Sequence, residues 1–69
     1  MITVEEFIDM AIDSFYVEVY DEFLDQVMYN GNSADIPDEI MGMEVRSFDP
    51  PCMIGVRVVL CLNVSSEEN

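Results

Sequence analysis

Apolar residues recur at three- and four-residue spacing at the start of the chain. Val4, Phe7, Ile8, Ala11, Ile12 and Phe15 form one stripe, while Glu5, Glu6, Asp9 and Asp13 fall elsewhere. That period predicts an amphipathic helix over 4–14. Thr3 stands three residues before Glu6, the spacing of a capping box, and Ile2 and Phe7 occupy the positions of a hydrophobic staple. Glu5 and Glu6 in the first turn suit the positive end of the helix dipole. Asp13, near the expected C-terminus, does not, which points to a role other than helix stability.

The period then falls to two. Val17 and Val19 alternate with Tyr16, Glu18 and Tyr20, which reads as a strand. An acidic connection over 21–25 leads to a second strand over 26–29, and Asn30-Gly31-Asn32 is expected to end it, because Asn and Gly tolerate tight turns. The pair reads as a hairpin. A short helical turn follows over 33–42, with Pro37 at its start, Asp38 and Glu39 in its first turn and Gly42 past its end. A third strand covers 43–48, and Asp49-Pro50-Pro51 is expected to break the chain. In the last strand Ile54, Val56, Val58, Leu60, Leu62 and Val64 share one face, with Gly55, Arg57, Cys61 and Asn63 on the other. Residues 65–69 read as a polar tail that frays.

The expected fold is therefore α+β: an N-terminal amphipathic helix packed on a four-stranded, mainly antiparallel sheet, in the order α-β-β-short α-β-β. One domain spans 1–64. The helix stripe would meet the even-numbered side chains of the last strand.

Composition narrows the function. Fifteen Asp and Glu stand against two Lys and Arg, with no His, giving a formal net charge of −13. Arg46 and Arg57 cannot build the basic patch that DNA, RNA or an anionic membrane requires. The plausible macromolecular partner is a basic one. An acidic disordered tail is the wrong class, because the chain is 51% hydrophobic and 10% aromatic, with mean hydropathy +0.20. No apolar run reaches the ~18 residues of a membrane span, and the first residues carry acids where a signal peptide carries Lys or Arg. A cytoplasmic location in a bacterial host cell is expected, with Cys52 and Cys61 as reduced, buried thiols.

Catalysis is disfavoured by what is missing. Without His or Lys there is no general base near neutral pH and no Schiff-base amine. A cysteine nucleophile among carboxylates would have its pKa raised. Calcium loops need alternating oxygen ligands, a Gly and a final Glu, a spacing that Asp21, Glu22 and Asp25 lack. Two cysteines nine residues apart make no zinc site. The expectation is a non-enzymatic chain with no cofactor and no metal.

The acids themselves remain. A net charge of magnitude ~2–8 keeps a small domain soluble, and −13 exceeds it. Glu5, Glu6, Asp9 and Asp13 lie along the expected helix, and Glu18, Asp21, Glu22 and Asp25 run through the first strand and its connection. Carboxylates one helical turn apart are separated by ~5–6 Å, close to the spacing of phosphates along a nucleic-acid strand. Such a ridge could occupy a groove built for phosphates, with Tyr16 and Tyr20 as apolar anchors. The same tyrosines could equally do no more than cover the outer sheet face, and the acids no more than solubilise it.

The segments Ile2-Thr3-Val4-Glu5-Glu6-Phe7-Ile8, Val17-Glu18-Val19-Tyr20-Asp21, Ala34-Asp35-Ile36-Pro37-Asp38-Glu39-Ile40 and Glu44-Val45-Arg46-Ser47-Phe48 are similar to small acidic proteins of bacteriophages and mobile elements. In size, charge and layout the chain also resembles anti-CRISPR proteins, inhibitors of CRISPR effector nucleases of which several are DNA mimics. The resemblance implies an inhibitor that blocks DNA access to a CRISPR effector nuclease. Two rival readings stand beside it. One is a small structural or assembly module that dimerises through its sheet, since a 69-residue core gains from association. The other is an acidic metal buffer, whose melting temperature would rise with calcium.

Overall fold

The computed structural model describes residues 2–55 and 57–66, and of 50–54 and 57 the backbone alone. Helix α1 (Val4–Asp9) leads into strands β1 (Tyr16–Asp21) and β2 (Gln26–Asn32). A 3-10 turn (Ser33–Asp35) and helix α2 (Asp38–Met41) then cross to β3 (Val45–Ile54) and β4 (Arg57–Val64). The strands are ordered β2-β1-β4-β3. The molecule is thus two antiparallel hairpins laid side by side, joined at the centre by a parallel β1–β4 pair in which Val17 faces Leu60 and Val19 faces Leu62. Two of the three pairings are antiparallel, so the sheet is mixed.

Both helices cover the same face. Val17 and Val19 of β1 and Leu62 and Val64 of β4 are fully buried there, beneath Val4 of α1, Ile40 of α2 and Ile36, which follows the 3-10 turn. Each such side chain contributes ~1.5–3 kcal/mol of burial, and seven of them form this buried cluster among the described residues. Phe7 and Phe48 close its edge, with ring centroids 5.6 Å apart and tilted by 54°.

Helix α1 has only six residues, far fewer than an isolated helix needs. Its start is fixed by tertiary bonds instead. The Val4 amide donates to the Met43 carbonyl and the Val45 amide to the Ile2 carbonyl, both at 2.9 Å, around a Thr3–Glu44 bridge. The capping box forms as expected: the Glu6 amide donates to Thr3 Oγ1 at 3.2 Å and the Thr3 amide to Glu6 Oε1 at 2.9 Å.

The helix expected over 4–14 stops at Asp9. Phe15 is held to Ser33 by two hydrogen bonds, its amide donating to the hydroxyl and its carbonyl accepting from the Ser33 amide. This anchor fixes where β1 begins and forces the chain to turn before it. Asp9 and Asp13 would also stand at the negative end of a longer helix. Residues Met10 and Ile12, counted as helix and stripe, are exposed as a result.

Three other boundaries differ. β2 does not end at Asn30-Gly31-Asn32 but continues to Asn32, with Gly31 opposite Val17. The Tyr29 ring lies over Gly31, where a Cβ would come 2.9 Å from the phenol oxygen, so the glycine here makes room for a ring rather than a turn. β3 runs on through Asp49-Pro50-Pro51 to Ile54. It is an outer strand with a bulge between Asp49 and Cys52, and an edge tolerates the missing proline donor. Gly55, expected inside the last strand, is the hairpin turn at φ 64, closed by the Ile54–Arg57 pair.

On β4 the even positions Leu60, Leu62 and Val64 face the core as expected. Val58 is half-exposed because β1, which begins opposite Val59, does not reach it. Val59 is buried on the other face, opposite Tyr16. Of the tail, the Ser66 amide is tied to Asp21; 67–69, like Val56, lie outside the described residues.

Candidate functional site

Among the described residues no helix covers the second face of the sheet. The registers place Tyr16, Glu18 and Tyr20 of β1 there with Asn30 of β2, and Val59, Cys61 and Asn63 of β4. Its polar groups are joined across strands. Asn30 Nδ2 donates to Glu18 Oε1 at 3.3 Å, the Cys61 thiol points to Glu18 Oε2 at 3.7 Å, and Asn63 Nδ2 donates to Ser47 Oγ at 3.1 Å. Tyr16 and Tyr20 are half-buried in this layer, so the reading of them as sheet cover and the reading of them as anchors meet at one place. Cys61 is a half-buried thiol of the same layer, and the Cys52 side chain lies outside the description.

The β1–β2 turn projects from one end of this face. Tyr20 donates its hydroxyl to the Asp25 carboxylate across the turn, and Asp25 adopts φ 53, a left-handed conformation that Asp tolerates. Between Glu22 and Asp25 the turn exposes Phe23, 57% accessible, and Leu24, 48%. Val27 beside them is exposed too. Sequence reasoning took this connection as merely acidic. The available signal was two large apolar residues inside a turn that cannot reach a core.

The expected acidic residues do not form one ridge. Glu5, Glu6 and Asp9 are exposed on α1, on the helix-covered side, whereas Glu18 lies on the opposite face. Asp13 precedes β1, and Glu22 and Asp25 follow it, so the length of a six-residue strand, ~20 Å, separates them. The carboxylates surround the molecule rather than line one path.

Asp21 departs furthest from its expected role. It falls on the same face as Val17 and Val19 and is wholly buried. Its Oδ1 accepts from the amides of Phe23 at 2.9 Å, Leu24 at 3.3 Å and Ser66 at 3.2 Å, which ties the turn and the end of β4 to β1. Burial raises its pKa, but the hydroxyl and amide of Ser66 and the amides of Leu24 and Phe23 outweigh it and hold the carboxyl below the usual range. Asp21 is therefore a structural tie that no partner can touch. Glu6 is likewise held low, by the Thr3 amide first and the Thr3 hydroxyl second.

Ten of the thirteen described acids are exposed. The ion pair found among the described residues is Glu44–Arg46, at 4.0 Å on the surface, a contact of little energetic weight. No group of three or more metal-ligating side chains is found among the described residues, and no described helix is long and apolar enough to cross a membrane. What the geometry offers is a carboxylate-rich surface with one uncovered, tyrosine-bearing sheet face and an apolar turn tip. Comparison with protein-family models, with curated proteins and with solved structures finds no match for this chain.

Proposed function

We propose that this protein is a non-enzymatic inhibitor that binds the basic, nucleic-acid-binding surface of a partner and excludes DNA from it. The observation that carries the reading is the number of exposed acids against a single ion pair among the described residues. A net charge of −13 on 69 residues is a high charge density, spread over both faces and both ends of the sheet. Charge at that density gives fast, salt-sensitive encounter, but affinity requires apolar anchors. Phe23 and Leu24, between Glu22 and Asp25, and Tyr16 and Tyr20 on the open face supply them.

Glu5, Glu6, Asp9, Asp13, Glu18, Glu22 and Asp25 are the carboxylates assigned to phosphate competition, with Asp21 set apart by its burial. The resemblance to anti-CRISPR proteins makes a CRISPR effector nuclease the first partner to test, in the bacterial cytoplasm. The test is DNA cleavage by such nucleases with and without the protein. Inhibition at low salt that is weakened about tenfold by Phe23→Ala and by Glu22→Gln with Asp25→Asn supports the reading. Cleavage unchanged at low salt for every phage-targeted nuclease sinks it.

A further inference from the structure

The two edges of the sheet differ. β3 carries Asp49, two prolines and a bulge, and residues 2–4 bond to its beginning. These features all obstruct a further strand. β2 also has a bulge, at Met28, where Val19 faces Tyr29 and Tyr20 faces Val27. Beyond it, Tyr29-Asn30-Gly31-Asn32 runs in unbroken register with no charge and no proline, in a chain of which 25% is charged. Among the described residues no strand lies outside it.

Where β2 ends, an open groove of about 260 Å³ begins. Ile8, Ala11, Ile12 and Ala34 give it apolar walls, and Asp9 and Asp13 stand among them. Ile12 is 99% exposed, so a large apolar side chain is left in water at this corner without any contribution to the core.

We propose that the Tyr29 to Asn32 edge and this groove together take an extended, basic segment of a partner protein. The segment adds as a fifth strand beside β2, and one of its Lys or Arg side chains lies in the groove. Its aliphatic stem packs on Ile8 and Ile12, and its charge meets Asp9 and Asp13. Charge decides against a second copy of this chain as the occupant, since a copy brings −13 against −13. The inference rests on the proposed basic partner and adds which backbone that partner pairs with.

The test titrates the protein with an end-capped heptapeptide alternating Lys and Val, and with the same peptide N-methylated at alternate amides. The methylated form keeps its charge and side chains but cannot pair with a strand. Amide hydrogen exchange and NMR shifts are followed residue by residue. The expected result is slowed exchange at the outward-facing amides of Asn30 and Asn32, since Tyr29 and Gly31 already pair with β1, and a shift at Ile12 with the first peptide, with binding at least tenfold weaker for the methylated one. Asp9→Asn with Asp13→Asn should cost about tenfold. Equal binding of the two peptides, shifts spread over all the acids, or slowed exchange on β2 with rising protein concentration alone overturns the inference. Should the protein still displace DNA from a nuclease in those cases, the strand-addition inference falls and the proposed function stands; if DNA is not displaced either, both fall.

Discussion

Asp21 and Gly31 illustrate how single residues hold this sheet. The Asp21 carboxylate joins β1, the turn and the end of β4 through three amide donors. Because its folded pKa is depressed, the stability it provides is present above the unfolded value of ~3.9 and is lost as pH falls through the folded value. Asp21→Asn keeps an acceptor for the amides but places an NH₂ where Oδ2 is buried without a partner. It should therefore be less stable than the native chain at pH 7, and the gap should narrow below about pH 4. Urea unfolding from pH 2 to 7 checks this, and a gap independent of pH would contradict it. At Gly31, an added Cβ meets the Tyr29 phenol, whose hydroxyl is held by the Asn32 carbonyl at 2.7 Å. Gly31→Ala should cost ~1–3 kcal/mol by overpacking, measured by denaturant midpoint. The burial of Asp21 was legible in principle, since it continues the alternation of Val17 and Val19. An acidic side chain next to Glu22 draws the reading toward a surface turn, and one of the donors that make its burial tolerable, the Ser66 amide, lies 45 residues away.

Elements in this fold are decided by what anchors their ends. α1 begins where Thr3 and Glu6 satisfy each other's amides, a purely local pattern, and the sequence carries it in full. Thr3→Ala should therefore cost ~1 kcal/mol, seen as a lowered melting temperature at pH 7. The end of α1 was not legible, because the Phe15–Ser33 bonds that stop it are formed between segments 18 residues apart. The same holds for β3. Two adjacent prolines read as a break when strand order is unknown, and as an edge strand once β3 lies outermost. Gly55 and Gly31 exchanged expected roles for a similar reason, since only pairing tells which glycine turns the chain. The alternation in β1 and in 60–64 of β4 survived intact because both strands are central and bury one face.

The whole molecule is dominated by an excess of negative charge. With a net charge of −13 and a small buried cluster, self-repulsion opposes the folded state and is screened by salt. Raising NaCl from about 0.02 to 0.5 M, which shortens the Debye length from over ~10 Å to under ~8 Å, should raise the melting temperature. An unchanged or lower value would mean that the charges are already compensated within the fold. The sequence revealed the excess but not its arrangement: it suggested one ridge, whereas the sheet divides the acids between two faces and two ends. The most direct test of the central claim is equilibrium competition between this protein and labelled duplex DNA for a CRISPR effector nuclease, from 50 to 200 mM salt. The account predicts displacement of DNA at 50 mM salt, by a protein whose own binding to the nuclease weakens steeply with salt, as multiple carboxylate contacts require. Binding of the protein to the nuclease that does not weaken with salt, or no displacement of DNA at 50 mM, would contradict it.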